Sequence, residues 1–289
     1  MLRLKPDPLP CIHAVPELLA DARLKAVYAR TKSTLQVPWM GVVTMAFAHY
    51  PTFYGALWDG LSAVCESVQF RIACRELRAH AEEAAIALKP SRLQGELKAL
   101  GYAQREIDGI RDLVEVFSHG NMLYLMIATA ARLLLEGQEV GRDGRIEPVA
   151  RQPAASAAMR LTLIEEHHAD APTAAVYRDI KDTLGLPFVN TDYRALARWP
   201  SYFARAWAGI RGTIGSQDYE RAVRSVHQFA VDGWSKLPVP ASLTTESLLA
   251  AAARDASPEE ITAVVRLFQW LLPGLVVNVA CFSAQLEPH

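Results

Sequence analysis

Residues Ile180–Ile210 read IKDTLGLPFVNTDYRALARWPSYFARAWAGI, and they nearly repeat Thr31–Leu61, which read TKSTLQVPWMGVVTMAFAHYPTFYGALWDGL. The two stretches align without a gap at a constant offset of 149 residues and share nine identities in 31 positions. Average residue usage would give about two identities by chance, at roughly one match in fifteen. The alignment therefore predicts that the chain is internally duplicated and that the two copies fold alike.

One triplet breaks the similarity between the two copies. In the first copy the triplet is Gly41–Val43, and in the second it is Asn190, Thr191 and Asp192. A valine flanked by apolar residues is most often buried, so an aspartate in the place of Val43 is costly unless it is partnered or functional. We predict that Asp192 carries buried chemistry. The alternative is an acidic residue in the first turn of a helix, capped by Asn190 or Thr191 and favoured by the helix dipole.

The composition limits the classes of protein to which the chain can belong. Its 289 residues are enough for a duplicated domain with a substantial core. The 30 Lys and Arg residues balance 31 Asp and Glu residues, which leaves no basic footprint for nucleic acid. The proline-rich N-terminal residues contain no continuous apolar segment, so no signal peptide is predicted. The four cysteines form no CxxC pair, which favours reduced thiols and a cytoplasmic location.

The motifs of cofactor-dependent enzymes and of serine hydrolases are missing from the sequence. It lacks GxGxxG, Walker, HExxH and GxSxG patterns, so we expect neither a cofactor nor a metal. Residues Glu165–Asp170 (EEHHAD) are rich in side chains that can ligate metals. Adjacent residues of a helix do not face one another, so a solvated face is the favoured interpretation of this cluster.

Hydrophobic periodicity predicts an all-α fold. Two apolar runs, Met122–Ala131 and Leu267–Phe282, are interrupted before the roughly 18 apolar residues of a membrane span, so we interpret them as core helices and expect no membrane contact. The pocket between two such repeats of a pseudo-dimer is the expected active site. The predicted parts are an N-terminal arm at 1–15, a helical repeat at 16–137, a linker at 138–158 and a second helical repeat at 159–289.

Proline and capping signals place the ends of the predicted helices. Pro16 opens the first helix, and Pro51 opens a long helix that runs through Ile72. Asp218 and Ser257 are the predicted N-caps of two later helices. The remaining predicted helices lie near 41–49, 91–100, 103–136, 172–185, 190–198, 200–214, 217–236, 244–254 and 258–286.

A second exchange of a polar for an apolar residue lies near the end of each half. Asn121 follows Phe117 by four residues, and Leu272 follows Phe268 by four residues. The neighbours of Asn121 form an apolar segment, so its amide requires a hydrogen-bond partner. That partner is either the backbone of the core or a group of the active site.

A second carboxylate is predicted to lie near Asp192. Ser62 and Glu66 are four residues apart on the long first-half helix and therefore share a face. Glu66 lies among apolar residues, and an inward orientation would give two carboxylates across the pocket. The alternative is a Glu66 side chain exposed to solvent.

The tandem repeat, the triplet Asn190–Asp192 at the start of a second-half helix, and Asn121 together resemble the group I 2-haloacid dehalogenases, the cofactor-free DehI-type family. The resemblance extends from about residue 15 to residue 286. Members of this family displace halide from C2 of a short 2-haloalkanoic acid and give the 2-hydroxy acid with inverted configuration. The resemblance implies that Asp192 activates a water molecule for direct attack without an ester intermediate, and that Asn121 supports it.

The resemblance also implies which residues surround the substrate. Glu66 would match an acidic residue that some members use, and Ser62 would match a hydroxyl residue one helical turn before that acidic residue. Asparagine at position 190 implies a preference for D-2-haloacids. Independently of the resemblance, the free N–H groups at the start of a helix, around Asn190–Tyr193 and including that of Thr191, are expected to bind the substrate carboxylate. The pocket walls would be Trp39, Phe188, Phe268 and Leu272.

Two further expectations concern partners. Family members form homo-oligomers, so the resemblance implies a homodimer, with water and a small 2-haloacid as the reactants. A non-catalytic helical module that binds a small apolar carboxylic acid remains the alternative function. Release of halide separates the two.

Overall fold

The computed structural model describes residues 2–142, 144–149 and 159–288, and within these ranges it contains twelve α-helices and no β-strand. The prediction of an all-α fold is therefore confirmed. Six of the helices belong to each half of the sequence. They are α1 (Ala22–Leu35), α2 (Val42–Phe47), α3 (Pro51–Cys65), α4 (Val68–Ala87), α5 (Gln94–Ala99), α6 (Gln104–Leu135), α7 (Ala171–Leu184), α8 (Thr191–Leu196), α9 (Pro200–Arg211), α10 (Gln217–Trp234), α11 (Thr245–Ala252) and α12 (Pro258–Gln285).

The same hydrogen bonds occur in both halves at the offset of the sequence repeat. The Tyr28 hydroxyl donates to the Val15 carbonyl over 2.8 Å, and the Tyr177 hydroxyl donates to the Ile164 carbonyl over 2.8 Å. The backbone N–H groups of Val15 and Ile164 in turn donate to carbonyls in α2 and α8, each over 3.0 Å. The segment before α1 and the segment before α7 are therefore tied to the short second helix of their own half in the same way.

Helix ends also recur at this offset. Asp21 and Asp170 cap α1 and α7, each accepting a hydrogen bond from the backbone N–H three residues later. Ser67 and Ser216 cap α4 and α10 in the same manner. Such caps satisfy backbone donors that the helix itself leaves without partners, and so they fix where each helix begins.

The first half departs from the sequence prediction in two places. The first helix begins at Ala22 with Asp21 as its cap and not at Pro16. The predicted long helix through Ile72 is divided into α3 and α4, because Ser67 leaves the helical conformation and its hydroxyl accepts from the Phe70 N–H over 3.1 Å. Apolar periodicity continues across this break, so periodicity could not reveal it.

The two predicted N-caps of the second half have different outcomes. Ser257 caps α12 by accepting from the Glu260 N–H over 3.2 Å, as predicted. The predicted cap Asp218 is wrong, because it lies inside the first turn of α10 and Ser216 accepts the capping bond from Tyr219. Extending the sequence alignment to Ser67 and Ser216 would have indicated the correct residue.

Helices α6 and α12 form the centre of the fold and make its most extensive helix–helix contact. Each long helix also packs against the short second helix of the other half, α6 against α8 and α12 against α2. By length and composition α12 could cross a membrane, but 89% of its most apolar window is buried inside the fold. The two apolar runs are therefore core helices, as predicted. This crossed packing brings the start of α8 onto the middle of α6.

The described part of the predicted linker runs along both halves. The Arg142 N–H donates to the Leu237 carbonyl over 2.9 Å, and the Val149 N–H donates to the Glu66 carbonyl over 2.9 Å. Position 143 and positions 150–158 lie outside the described residues, so the linker prediction remains a prediction there.

Candidate active site

The first turn of α8 is buried against the central helices. Asn190 occupies the N-cap position with an extended backbone, at φ −61° and ψ 155°. Its side chain makes no capping hydrogen bond, and the Thr191 hydroxyl accepts from Arg194 over 3.3 Å. Asp192 does lie in the first turn of a helix, as the alternative explanation of the triplet has it, but neither Asn190 nor Thr191 caps that helix through its side chain, and Asp192 is only 3% exposed.

Asp192 is held by a residue from the other half of the chain. The Asn121 amide Nδ2 donates to the Asp192 carboxylate Oδ1 over 2.6 Å. Asn121 lies in the middle of α6 and is as buried as Asp192. The predicted requirement for a hydrogen-bond partner at Asn121 is met by this carboxylate. The two positions where one copy is polar and the other apolar thus meet at one point.

Burial sets the protonation behaviour of Asp192. Removal of the carboxylate from water raises the pKa of Asp192 from 3.8 to about 6, while the bond from Asn121, its own backbone N–H and the charge of Arg194 each oppose that rise. At neutral pH the group is therefore mostly ionised and able to accept a proton. A pKa close to the working pH is what a general base requires.

A small cavity adjoins the Asn121–Asp192 pair. Its volume is about 20 Å³, which is enough for a single water molecule. An organic acid enters this space only if side chains of the wall move. Both halves contribute to the lining, which consists of Trp39, Gly41, Val42, Val43, Asn121, Tyr124, Asn190, Thr191, Asp192, Phe268, Leu271, Leu272 and Leu275.

The Asn190 side chain lines this cavity and makes no side-chain hydrogen bond that the structure describes. It is 5% exposed, and none of the side-chain hydrogen bonds among the described residues involves it. Buried amides in proteins are normally paired with protein or water. Asn190 is therefore available to a ligand, in a place where the first copy has Gly41 and no side chain at all.

The wall on the side of the first half is closely packed. The Trp39 ring packs edge-on against Phe117 and Tyr124 at centroid distances of 5.0 and 5.7 Å, and the Tyr124 hydroxyl donates to the Trp39 carbonyl over 2.7 Å. A Cβ atom on Gly120 would come within 2.2 Å of the Trp39 ring. Glycine at position 120 therefore allows the indole to lie directly on α6.

Three of the predicted site residues lie outside the cavity lining. The Glu66 carboxylate accepts from the Thr34 hydroxyl over 2.8 Å, and Ser62 lies near the Asp59 carbonyl. The predicted pair of carboxylates across the pocket is thus wrong, because Glu66 ends α3 at the helix break and is directed elsewhere. Phe188 packs at the edge of the core. The roles that the resemblance implies for Ser62, Glu66 and Phe188 remain predictions.

Tyr124, Leu271 and Leu275 line the cavity but were not predicted to do so. Helical spacing was the signal that could have found them. Tyr124 is three residues from Asn121, and Leu275 is three residues from Leu272 on the same helix.

Residues of the Glu165–Asp170 cluster form ion pairs with helices of the second half. Glu165 pairs with Arg194 over 2.6 Å and Glu166 with Lys181 over 2.6 Å. In the part of the chain that the structure describes, His, Cys, Asp and Glu side chains form no group of three that could hold a metal ion.

Comparisons with known proteins identify the family that the sequence resembles. The sequence model of the family described as "Halocarboxylic acid dehydrogenase DehI" matches residues 38–186. An (R)-2-haloacid dehalogenase of Rhizobium sp. (strain NHG3) is 41% identical over 256 residues, which cover 87% of this chain and 98% of that protein. An (R)-2-haloacid dehalogenase of Pseudomonas putida is 35% identical over 95% of this chain and 92% of that protein.

Solved structures show the same likeness along nearly the whole chain. A D-2-haloacid dehalogenase in complex with L-LA superimposes with a TM-score of 0.89 at 33% identity, covering 98% of this chain and 99% of that one. A mutant of D-2-haloacid dehalogenase in complex with D-2-CPA gives a TM-score of 0.88 at 34% identity, covering 96% of this chain and 97% of that one. The chain therefore belongs to the DehI-type 2-haloacid dehalogenase family and is a hydrolase that acts on carbon–halogen bonds.

Proposed function

We propose that this enzyme converts short D-2-haloalkanoic acids to L-2-hydroxy acids, with inversion at C2, by direct attack of a water molecule that Asp192 activates. The observation that carries the proposal is the Asn121–Asp192 pair, which is closed off from solvent beside a cavity of water size. The (R)-2-haloacid dehalogenase relatives support the substrate class. We also propose that the enzyme is cytoplasmic, which agrees with its four free cysteines. We further propose that it is a homodimer.

The reaction requires a nucleophile that is aligned with the carbon–halogen bond. Asp192 accepts a proton from the water while the water oxygen forms its bond to C2. The carbon–halogen bond breaks on the opposite face, and its electron pair leaves with the halide. A positioned base contributes about 10²–10⁴ in rate, and alignment of the reacting atoms supplies much of the remainder.

The cavity wall suits the other parts of such a substrate. Trp39, Phe268 and Leu272 offer an apolar surface to the halogen and the alkyl group. The free amide of Asn190 is available to the substrate carboxylate. Exclusion of bulk water strengthens each electrostatic contact with the reacting atoms.

The first prediction separates direct attack from covalent catalysis. In a single turnover in heavy-oxygen water, we expect the label in the hydroxy acid and none in the protein. Label in Asp192 would mean that the aspartate itself attacks C2 and is hydrolysed afterwards, which contradicts the proposal. Release of chloride from separate D- and L-2-chloropropionate tests the activity itself, and a binding module would release none.

The second prediction is that Asp192→Asn loses activity but gains stability. Because the pKa of Asp192 is raised on folding, its cost to the folded state grows as the pH rises from about 4 to about 6 and is then constant. A rise from 3.8 to about 6 corresponds to roughly 3 kcal/mol. We expect halide release to fall at least about 100-fold. Urea unfolding at pH 8 should show a higher free energy of unfolding than wild type, with a smaller gain at pH 5.

A matched control for this variant is Asp179→Asn. The bond to Arg211 lowers the pKa of Asp179, so the control should not gain stability at pH 8 and should retain halide release. Activity of Asp192→Asn within tenfold of wild type, in folded protein, would remove Asp192 from the role of base.

The third prediction concerns the pH dependence of the reaction. Since Asp192 must be ionised to accept a proton, kcat/KM should rise with pH through about 6 and then level. Asn121→Leu introduces the residue that the other copy has at position 272 and removes a bond that favours the ionised form. The rising limb should therefore move to higher pH in this variant. A profile that is flat from pH 5 to pH 8 in wild type would contradict the assignment.

The fourth prediction is stereochemical and rests on Asn190. We assume that the water always attacks from the side of Asp192. The two bound enantiomers then differ in that the C2 hydrogen of one occupies the position of the alkyl group of the other. One of them then needs space beside position 190, which the asparagine fills. Asn190→Ala should therefore raise activity on L-2-chloropropionate at least tenfold, about 1.4 kcal/mol in the transition state. Equal wild-type rates on both enantiomers, measured by chloride release, would contradict the proposed selectivity.

A further inference from the structure

A second cavity lies next to the small cavity that adjoins Asn121 and Asp192, which we call the catalytic cavity. Its volume is about 150 Å³, and it shares Asn190, Leu271 and Leu275 with the lining of the catalytic cavity. These three side chains thus stand between the two spaces. We refer to the second cavity as the passage. It is large enough for a small organic acid, whereas the catalytic cavity in this conformation is not.

The sequence repeat places an equivalent cavity in the first half, but that cavity does not adjoin the catalytic one. Its volume is about 440 Å³, and among the described residues it shares none of the lining of the catalytic cavity. Tyr124 stands where Leu275 stands in the second half, and its bond to the Trp39 carbonyl fixes it there. The paired lining positions are Thr34 and Thr183, Leu35 and Leu184, Cys65 and Ile214, and Arg71 and Glu220.

The N-terminal arm contributes a cation to the wall of the passage. The Arg3 side chain is only 9% exposed. Its Nε donates to the Trp270 carbonyl over 2.9 Å, its Nη1 donates to Glu220 over 3.2 Å, and its guanidinium lies 5.2 Å from the centroid of the Trp270 ring. Its Nη2 is 3.8 Å from the point that a Cβ on Gly274 would occupy, which places it beside α12.

The positive charge of Arg3 affects how an anionic ligand interacts with the wall of the passage. A carboxylate that reached Asp192 by way of the passage would pass Glu220, which lines the passage, before it met the buried Asp192, and both carboxylates would repel it. Arg3 offsets Glu220, and a guanidinium has five donors in a planar fork that matches a carboxylate. Walls of low dielectric concentrate the field of such a charge and raise the rate at which anions enter.

We propose that Arg3 receives the carboxylate of the incoming substrate in the passage and so sets the rate of its entry to the catalytic cavity. The substrate class in this proposal rests on the proposed function. The chain offers a matched control in Lys5, which stacks on the same Trp270 ring at 5.2 Å and donates to the Gly185 carbonyl over 3.0 Å, but does not line the passage.

The test compares Arg3→Met with Lys5→Met, two variants that each remove one positive charge from the arm. For D-2-chloropropionate at low ionic strength, we expect Arg3→Met to lower kcat/KM at least fivefold with kcat within twofold of wild type. Lys5→Met should stay within twofold in both constants. The loss in Arg3→Met should shrink as salt is added, and Arg3→Lys should retain most of the rate. Equal losses in Arg3→Met and Lys5→Met, or none in either, overturn the proposal.

Adding Glu220→Gln to Arg3→Met separates reception of the substrate from neutralisation of Glu220. If Arg3 receives the carboxylate, kcat/KM of the double variant remains at least threefold below that of Glu220→Gln alone. Equal values for the two overturn the proposal, because Arg3 would then act only on Glu220.

Association without turnover separates this proposal from the proposed function. In Asp192→Asn protein, the binding of D-2-chloropropionate is followed by stopped-flow tryptophan fluorescence, since Trp39 lines the catalytic cavity. Arg3→Met should slow association at least fivefold in this background, and an unchanged rate overturns the role of Arg3. Failure of wild type to release halide from any 2-haloacid would instead overturn the proposed function.

Discussion

The hydrogen bond from Asn121 to Asp192 joins the two halves of the molecule, and both of its partners are buried. Without the amide, the carboxylate would lie in an apolar cavity with less compensation for its lost hydration. With it, the group retains a pKa near 6 and is ionised at neutral pH. The crossed packing of α6 on α8 and of α12 on α2 can be understood as the framework that holds these two side chains together.

The two residues of this bond could be predicted from the sequence because the first half of the chain can be aligned with the second half. Asp192 stands where the other copy has Val43, and Asn121 stands where the other copy has Leu272. In each case an apolar residue in one copy indicates burial, and burial of its polar counterpart requires an explanation. The all-α fold and the two core helices followed from periodicity for a similar reason, since apolar spacing reflects which face of a helix is buried.

Two kinds of feature could not be predicted from the sequence. Some leave the spacing of apolar residues unchanged, and others join residues that are distant in the sequence. The break at Ser67 lies inside a continuous apolar pattern, so Glu66 was predicted on a helix face that does not continue past it. Arg3 meets Glu220 across 217 positions of sequence, and no local pattern predicts such a contact. The orientation of Tyr124, which lines the cavity beside Asp192, depends on its bond to the Trp39 carbonyl and is likewise a property of the packed structure.

The two halves face each other with different residues at matching positions, and this has a consequence for how such a site can arise. Two identical chains packed about a twofold axis place every interface residue there twice. An aspartate at the equivalent position would then bring two carboxylates to the axis, and a valine would bring none. A single chain that carries both copies is free of that restriction. The covalent link between the halves therefore allows one half to supply the carboxylate and the other its amide, so that the proposed reaction centre is single and asymmetric.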